Sequence, residues 1–296
     1  MPDIAVHGPF SLAAAKEFWV GFTPAALPDA AADGPLRLAF PVEDDWRPAG
    51  VAVTEHPGGV RIETYGPGAG DAAVAQAARS LFLDVDGSGL AAVGERDPVV
   101  AGLLRRWPGL RPVCFASPYE AAVWAILSQR VRMTQAAAVK ARIVARHGAV
   151  VQVDGQEVRA FPPPQELVAA AVAEGVQDVK VERLREVADA ALDGVLDAAE
   201  LRALPVEEAL ARLRTVPGVG PFSAELILVR GAGHPDVFPS AERRLHAEMC
   251  HAYGLSDPTS AELAAVAEEW RPYRSWIALL MRVDRERRTG GTGRHR

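Results

Sequence analysis

The chain has 296 residues, 49% of them hydrophobic, with two cysteines, Cys114 and Cys250, and a formal net charge of −6. That length can bury a sizeable core and is long enough for two domains, while two thiols exclude a disulfide framework, a four-thiolate zinc site and a four-cysteine iron–sulfur cluster. No run of about 18 uncharged apolar residues occurs, and Lys16 and Glu17 interrupt the apolar stretch "FSLAAAKEFWVGF", so neither a membrane span nor a signal peptide is read and a cytoplasmic protein is expected. The charge is unevenly spread. Residues 1–110 hold 8 of the 32 Lys+Arg and 14 of the 38 Asp+Glu, which leaves 24 of each in the remainder. All the excess acid therefore lies in the N-terminal third.

In that third, "LRLAFPV", "GVAVTEH" and "GVRIETYG" read as strands of a small antiparallel sheet, and "GDAAVAQAARSLFL" and "PVVAGLLRRW" follow with helical periodicity. An α+β domain over residues 1–112 is expected. From Ser117 the helical period is almost continuous. "SPYE" sets Ser117 at an N-cap, Pro118 at the first helical position and Glu120 where a capping box needs it. A second helix should run from Thr134 to a stop at Gly148. "DVKVERLREVADAALDG" carries Asp178 as its cap and Gly194 just past its end, and "TSAE" at 259–262 is another capping box. An all-helical domain over 113–288 is expected, followed by a disordered basic tail at 289–296. Residues 271–296 carry eight arginines against Asp284 and Glu286; such an end is either a solvated face or a nucleic-acid contact.

One short segment departs from plain helix. In "TVPGVGPFSAELI", residues 215–227, Pro217 ends an amphipathic helix, "GVG" turns, and Pro221 opens the next helix. Glycines at 218 and 220 can take positive φ and present bare backbone amides beside a helix N-terminus, a place suited to a phosphate. An ordinary tight connection between packed helices is the competing reading of a bare GxG.

The segment "LRTVPGVGPFSAELILVRGAGHPDVFP", together with "SPYEAAVWAILSQRVRMTQAAAVKARIVARHG", "FPPPQEL" and "AEEWRPYRSWIALLMR", resembles the helix-hairpin-helix DNA glycosylases, in their alkylpurine branch. The resemblance covers nearly the whole chain. It implies double-stranded DNA with damaged bases as partner, a monomer, no cofactor, and a hairpin at Gly218, Val219 and Gly220 whose amides, with Ser223, grip one phosphate. It also implies a monovalent cation on the hairpin backbone of Gly218 and Gly220, with no metal held by side chains. Lyase-type relatives carry a lysine nucleophile where this chain has Phe222, so a hydrolytic, monofunctional enzyme is implied. Phe222 would then face the extruded base, with Trp124, Tyr273 and Trp276 as further pocket candidates and Phe18 and Trp19 as distant ones; core packing is the alternative for each.

The family's essential aspartate falls four residues after the Phe of "DVFP", where this chain has Glu242. Glutamate keeps the charge and adds a methylene, so the resemblance implies a catalytic Glu242, with Asp236 in reserve. The alternative is that Glu242 merely occupies the first turn of a helix capped by Ser240. Relatives fill the gap left by the flipped nucleotide from the "SQRV" stretch, which makes Gln129, Arg130 and Arg132 the wedge candidates. The expected activity is removal of alkylated purines such as 3-methyladenine in base excision repair. Three alternatives stay open: a glycosylase for deaminated or oxidised bases, an inactive lesion-binding paralogue, and a helix-hairpin-helix used only for protein contacts.

Overall fold

The computed structural model describes residues 3–25 and 33–289; beyond Thr289 the basic tail expected from the sequence lies outside the described residues. The first part of the chain forms β1 (Asp3–Ile4), α1 (Leu12–Gly21), β2 (Leu36–Pro41), β3 (Pro48–His56), β4 (Gly59–Tyr65), α2 (Asp71–Ser80), α3 (Leu90–Arg96) and α4 (Pro98–Arg106). Its strands make an antiparallel sheet in the order β1-β4-β3-β2, and the alternating apolar residues read from the sequence point into it. Leu36, Leu38, Phe40, Val51, Val53, Val60 and Ile62 pack under Leu12 and Trp19 of α1 and Ala73 and Ala77 of α2. Burying each such side chain contributes about 1.5–3 kcal/mol.

The remainder runs through α5 (Pro118–Leu127), α6 (Met133–His147), β5 (Val150–Val153), β6 (Gln156–Arg159), α7 (Pro164–Ala173), α8 (Asp178–Leu192), α9 (Ala198–Ala203), α10 (Val206–Leu213), α11 (Pro221–Arg230), α12 (Arg243–Tyr253), α13 (Ser260–Glu268) and α14 (Arg274–Arg288). Local chemistry sets several of these ends. The Ser117 hydroxyl accepts from the Glu120 amide at 3.1 Å, and Thr259 and Glu262 form the reciprocal capping box read from "TSAE". Asp178 is the first residue of α8, one place inside the cap that the sequence suggested, which falls on Gln177.

The expectation of an all-helical remainder is corrected by β5 and β6. They pair antiparallel through Val150–Arg159 and Val153–Gln156, joined by Asp154 at φ 48° and Gly155 at φ 74°, the doubly positive turn for which an Asp-Gly pair is suited. This hairpin covers the outer face of the N-terminal sheet, where Val151 and Val153 meet Ala52. Gly50 on β3 makes the approach possible, since a Cβ there would stand 2.2 Å from Val153 Cγ2. Strand β3 is thus buried on both faces over Ala49–Val53.

A helical core surrounds Tyr119, Ile126, Leu184, Leu213, Ile227 and Leu228. Another joins Leu90, Val100 and Leu103 to Leu245, Trp270, Trp276 and Ile277, so the early helices and the last ones share apolar residues. Arg111, 1% exposed, satisfies its guanidinium on the carbonyls of Pro9, Phe82, Val85 and His7. Burial lowers its pKa to about 10. None of the described helices is long and apolar enough to cross a membrane.

Candidate nucleic-acid interface

Helix α10 ends at Leu213 and α11 begins at Pro221, so the segment between them is the hairpin read from the sequence. Its two glycines do different things. Gly218 stands at φ +92°, and an added Cβ would come within 2.9 Å of Arg183 Cδ and 3.0 Å of Ile126 Cδ1; only glycine suits both the dihedral and the space. Gly220 is extended at φ −90° and its Cβ direction is open. It leaves room for something outside the chain.

Val219 lies between them with its side chain 6% exposed, packed into the helical core. Its amide donates to the Val216 carbonyl at 3.0 Å. Of the hairpin amides expected to face a phosphate, that of Val219 is thus spent inside the turn, because the buried valine anchors the hairpin. The amides of Gly220, Phe222 and Ser223 have no backbone acceptor among the described residues, as expected at the first turn of a helix. The Ser223 side chain points inward and is buried. Gly218 O accepts from Gln129 Nε2 at 2.8 Å and Gly220 O from the Ala224 amide at 2.9 Å, so neither carbonyl expected to line a cation is without a partner. No cluster of three metal-binding side chains occurs among the described residues.

Phe222, the second residue of α11, is 49% exposed, an uncommon position for a phenyl ring. The other aromatic candidates lie elsewhere. Trp124 is 4% exposed in the helical core. Tyr273 donates its hydroxyl to Asp86 O at 2.8 Å and packs edge-to-face on Trp276, whose indole donates to Leu110 O at 2.8 Å. With both faces of Trp276 covered by protein, neither ring is open to an incoming base. Trp19 is buried under the sheet, and Phe18 lies against the Arg230 guanidinium at 5.5 Å.

One turn beyond Phe222, Glu225 is 7% exposed and accepts from Ser240 Oγ at 2.6 Å and from the Ala241 amide at 2.9 Å. It fastens α11 to the segment that delivers Glu242. Sequence reasoning overlooked Glu225, although an acid within the apolar "AELILV" was a visible irregularity. Ser240 is therefore occupied with Glu225 and does not cap α12. Glu242 is itself the N-cap, accepting from the Arg244 amide at 3.1 Å, and its other oxygen meets Arg282 Nη1 at 2.6 Å. The side chain keeps 23% exposure. Arg282 also meets Glu286 at 2.9 Å, and its Nε is buried without a partner among the described residues.

Asp236 differs. Its carboxylate takes Arg274 Nε at 2.8 Å and Arg271 Nη1 at 2.7 Å, so both oxygens are committed to guanidinium groups. It ties the loop to the start of α14.

Gln129, Arg130 and Arg132 lie in the turn between α5 and α6, which the Gln129–Gly218 bond brings against the hairpin. Arg130 is exposed at φ +56°. The Arg132 amide donates to the Gln135 side chain at 3.2 Å, opening α6.

No protein-family model matches the chain. Over 178 residues, 58% of this chain and 59% of the relative, it is 34% identical to DNA-3-methyladenine glycosylase 2 of Escherichia coli. Over 210 residues, 69% of this chain and 41% of the relative, it is 31% identical to a probable bifunctional transcriptional activator/DNA repair enzyme AlkA of Mycobacterium tuberculosis. The chain thus spans less than two thirds of the length of either curated relative. Among solved structures, a 3-methyladenine DNA-glycosylase from Archaeoglobus fulgidus superposes with a TM-score of 0.75 at 20% identity, covering 95% of this chain and 97% of that one. Mag1 of Schizosaccharomyces pombe, a 3-methyladenine DNA glycosylase solved in complex with abasic DNA, superposes at 0.52 with 23% identity over 65% of this chain and 94% of that one. With its hairpin, its fold and these relatives, the chain resembles the helix-hairpin-helix DNA glycosylases, in the branch named for 3-methyladenine.

Proposed function

We propose that the protein is a monofunctional DNA glycosylase that extrudes alkylated purines from duplex DNA and hydrolyses their glycosidic bond, acting as a cytoplasmic monomer. One observation carries this reading. At the start of α11, the open amides of Gly220 and of the first helical turn, the exposed ring of Phe222, and Glu225 with its grip on Ser240 and Ala241 follow one another, and Glu242 is the next residue along that held segment.

The chemistry begins with positioning. Backbone amides at a helix N-terminus hold a strand phosphate, and the nucleotide rotates out at a cost of a few kcal/mol, less where the base is damaged. Phe222 offers a π face to the extruded base; a purine alkylated at N3 or N7 is cationic, and an aromatic face favours it over its neutral parent by about 0.5–2 kcal/mol. Such a base leaves without a general acid. Glu242 then stabilises the oxocarbenium-like sugar and takes the proton of the attacking water, the role a carboxylate plays in glycoside hydrolysis. Arg282 fixes one oxygen of Glu242, which holds a side chain one methylene longer than aspartate in a single orientation. With phenylalanine at 222, that position offers no amine for a Schiff base, which supports hydrolysis over lyase chemistry.

The test is release of free methylated purine from alkylated duplex, followed by chromatography, with strand nicking measured in parallel. Base release without nicking, lost in Glu242→Gln while binding to duplex with an abasic-site mimic persists, is the expected result. Release undiminished in that variant overturns the assignment of Glu242.

A further inference from the structure

The turn between α5 and α6 is fastened by α8 on one side and by the hairpin on the other. Lys180 Nζ donates to Leu127 O at 2.6 Å, the last residue of α5, where unpaired carbonyls and the helix dipole favour a cation. Two residues further, the Gln129 amide works at both ends. Its Oε1 accepts from Arg183 Nη1, and its Nε2 donates to Gly218 O at 2.8 Å. The Arg183 methylenes also lie over Gly218, in the space that a Cβ would occupy. Arg183, Gln129 and Gly218 thus form a continuous polar chain from α8 to the hairpin. The next residue, Arg130, is exposed at φ +56° and has no hydrogen-bond or ion-pair partner among the described residues. A non-glycine residue in the left-handed region is uncommon and persists where its surroundings hold it.

We propose that Gln129 is a positioning residue, a buckle that locks the turn presenting Arg130 to the phosphate-facing hairpin, so that strand gripping and insertion of Arg130 into the duplex act as one rigid unit. The proposal rests on the glycosylase reading above. It removes Gln129 from the wedge candidates, because both ends of its amide are engaged with protein, and it gives that task to the unpartnered Arg130. A rigid pairing has a clear benefit, since the distance between the gripped phosphate and the vacated stack is then set before DNA arrives.

The experiment uses the full chain and a duplex containing a tetrahydrofuran abasic mimic beside 2-aminopurine, whose fluorescence rises on unstacking, with anisotropy reporting affinity for the same duplex and for an undamaged one. The substitution Gln129→Glu keeps an acceptor for Arg183 but offers no donor to Gly218 O; Gln129→Leu offers neither. Both variants, compared with wild type at saturating protein so that anisotropy reads any change of affinity separately, should reduce the 2-aminopurine response about fivefold or more, the worth of one lost hydrogen bond. Arg130→Ala should abolish the response while leaving Gln129 in place. Thermal unfolding of each variant separates a lost buckle from a lost fold, and Gln129→Glu, which keeps the Arg183 bond, serves where Gln129→Leu fails to fold. Unstacking that survives in Gln129→Glu overturns the buckle, as does unstacking unaffected by Arg130→Ala. Wild-type protein that neither binds nor unstacks the duplex overturns the glycosylase reading instead.

Discussion

The loop between α11 and α12 holds two acids, one at its middle and one at its end, and the two are treated differently by their surroundings. Midway along it, Asp236 receives Arg271 and Arg274 on its carboxylate oxygens and is 16% exposed. At its end, Glu242 has a backbone amide on one oxygen, a single arginine on the other, and more of its surface open at 23%. A carboxylate held by two guanidiniums is a tie between elements; one with a single guanidinium partner and a path to solvent can still meet a substrate. The difference teaches that charge alone does not mark a reacting group, and that what matters is how many of its lone pairs the protein has already used.

Exchange of each acid for its amide should separate the two roles. Glu242→Gln should lower the rate of base release about 100-fold or more with an unchanged melting temperature. Asp236→Asn should do the reverse: it takes one of two counter-ions from Arg274, 11% exposed, which keeps Glu268 at 2.8 Å, and destabilises by about 1–3 kcal/mol, while release per folded molecule changes little. Equal kinetic losses in both would erase the distinction. Next in size, the two glycines separate folding from binding. Gly218→Ala should destabilise by about 1–3 kcal/mol through positive φ and its clash with Arg183 and Ile126. Gly220→Asp should fold normally and weaken duplex affinity about tenfold, seen as a shallower salt dependence.

Phe222→Ala tests the neighbouring ring. Its exposure predicts little change in stability, and loss of a stacking contact predicts a fall in affinity for the abasic mimic smaller than the fall in release of cationic purines. The last effect, on stability alone, concerns a third acid, whose partner Arg79 lies beside Gly233 of the same loop. Burial, only partly offset by Arg79 at 2.7 Å, raises Glu43 from the ordinary 4.5 to about 7. A folded state that retains a proton longer than the unfolded chain is favoured at low pH. Its contribution is complete below about 4.5 and is lost as pH rises through about 7. Unfolding free energy should fall across that window by about 3 kcal/mol, and Glu43→Gln should flatten the slope without altering base release.

Much of this was legible before any coordinates. Ser117 and Thr259 announced their helices through side chains that serve adjacent amides, and such local chemistry survives in the sequence. The "GVG" hairpin was legible for the same reason. The β5–β6 hairpin was also written locally, as Asp154-Gly155 between alternating residues, but the helical period on either side masked it. Glu225, Arg183 and Arg282 were not legible as site residues, because each acquires its role from a partner 15 to 54 positions away, a relation that no window of sequence contains. Trp124, Tyr273 and Trp276 were aromatic enough for a binding pocket, yet aromatic rings are equally good core material, and only burial distinguishes the two.

The missing side chain at Gly50 reaches beyond folding. Because that vacancy on the sheet was shaped to receive Val153 from a hairpin roughly a hundred residues downstream, the two surfaces can be inherited only together. A chimera that swaps the front portion of this chain for that of a relative, without carrying residues 150–159 along, would meet a steric mismatch at the seam; recombination between such genes should therefore spare crossovers that part the two.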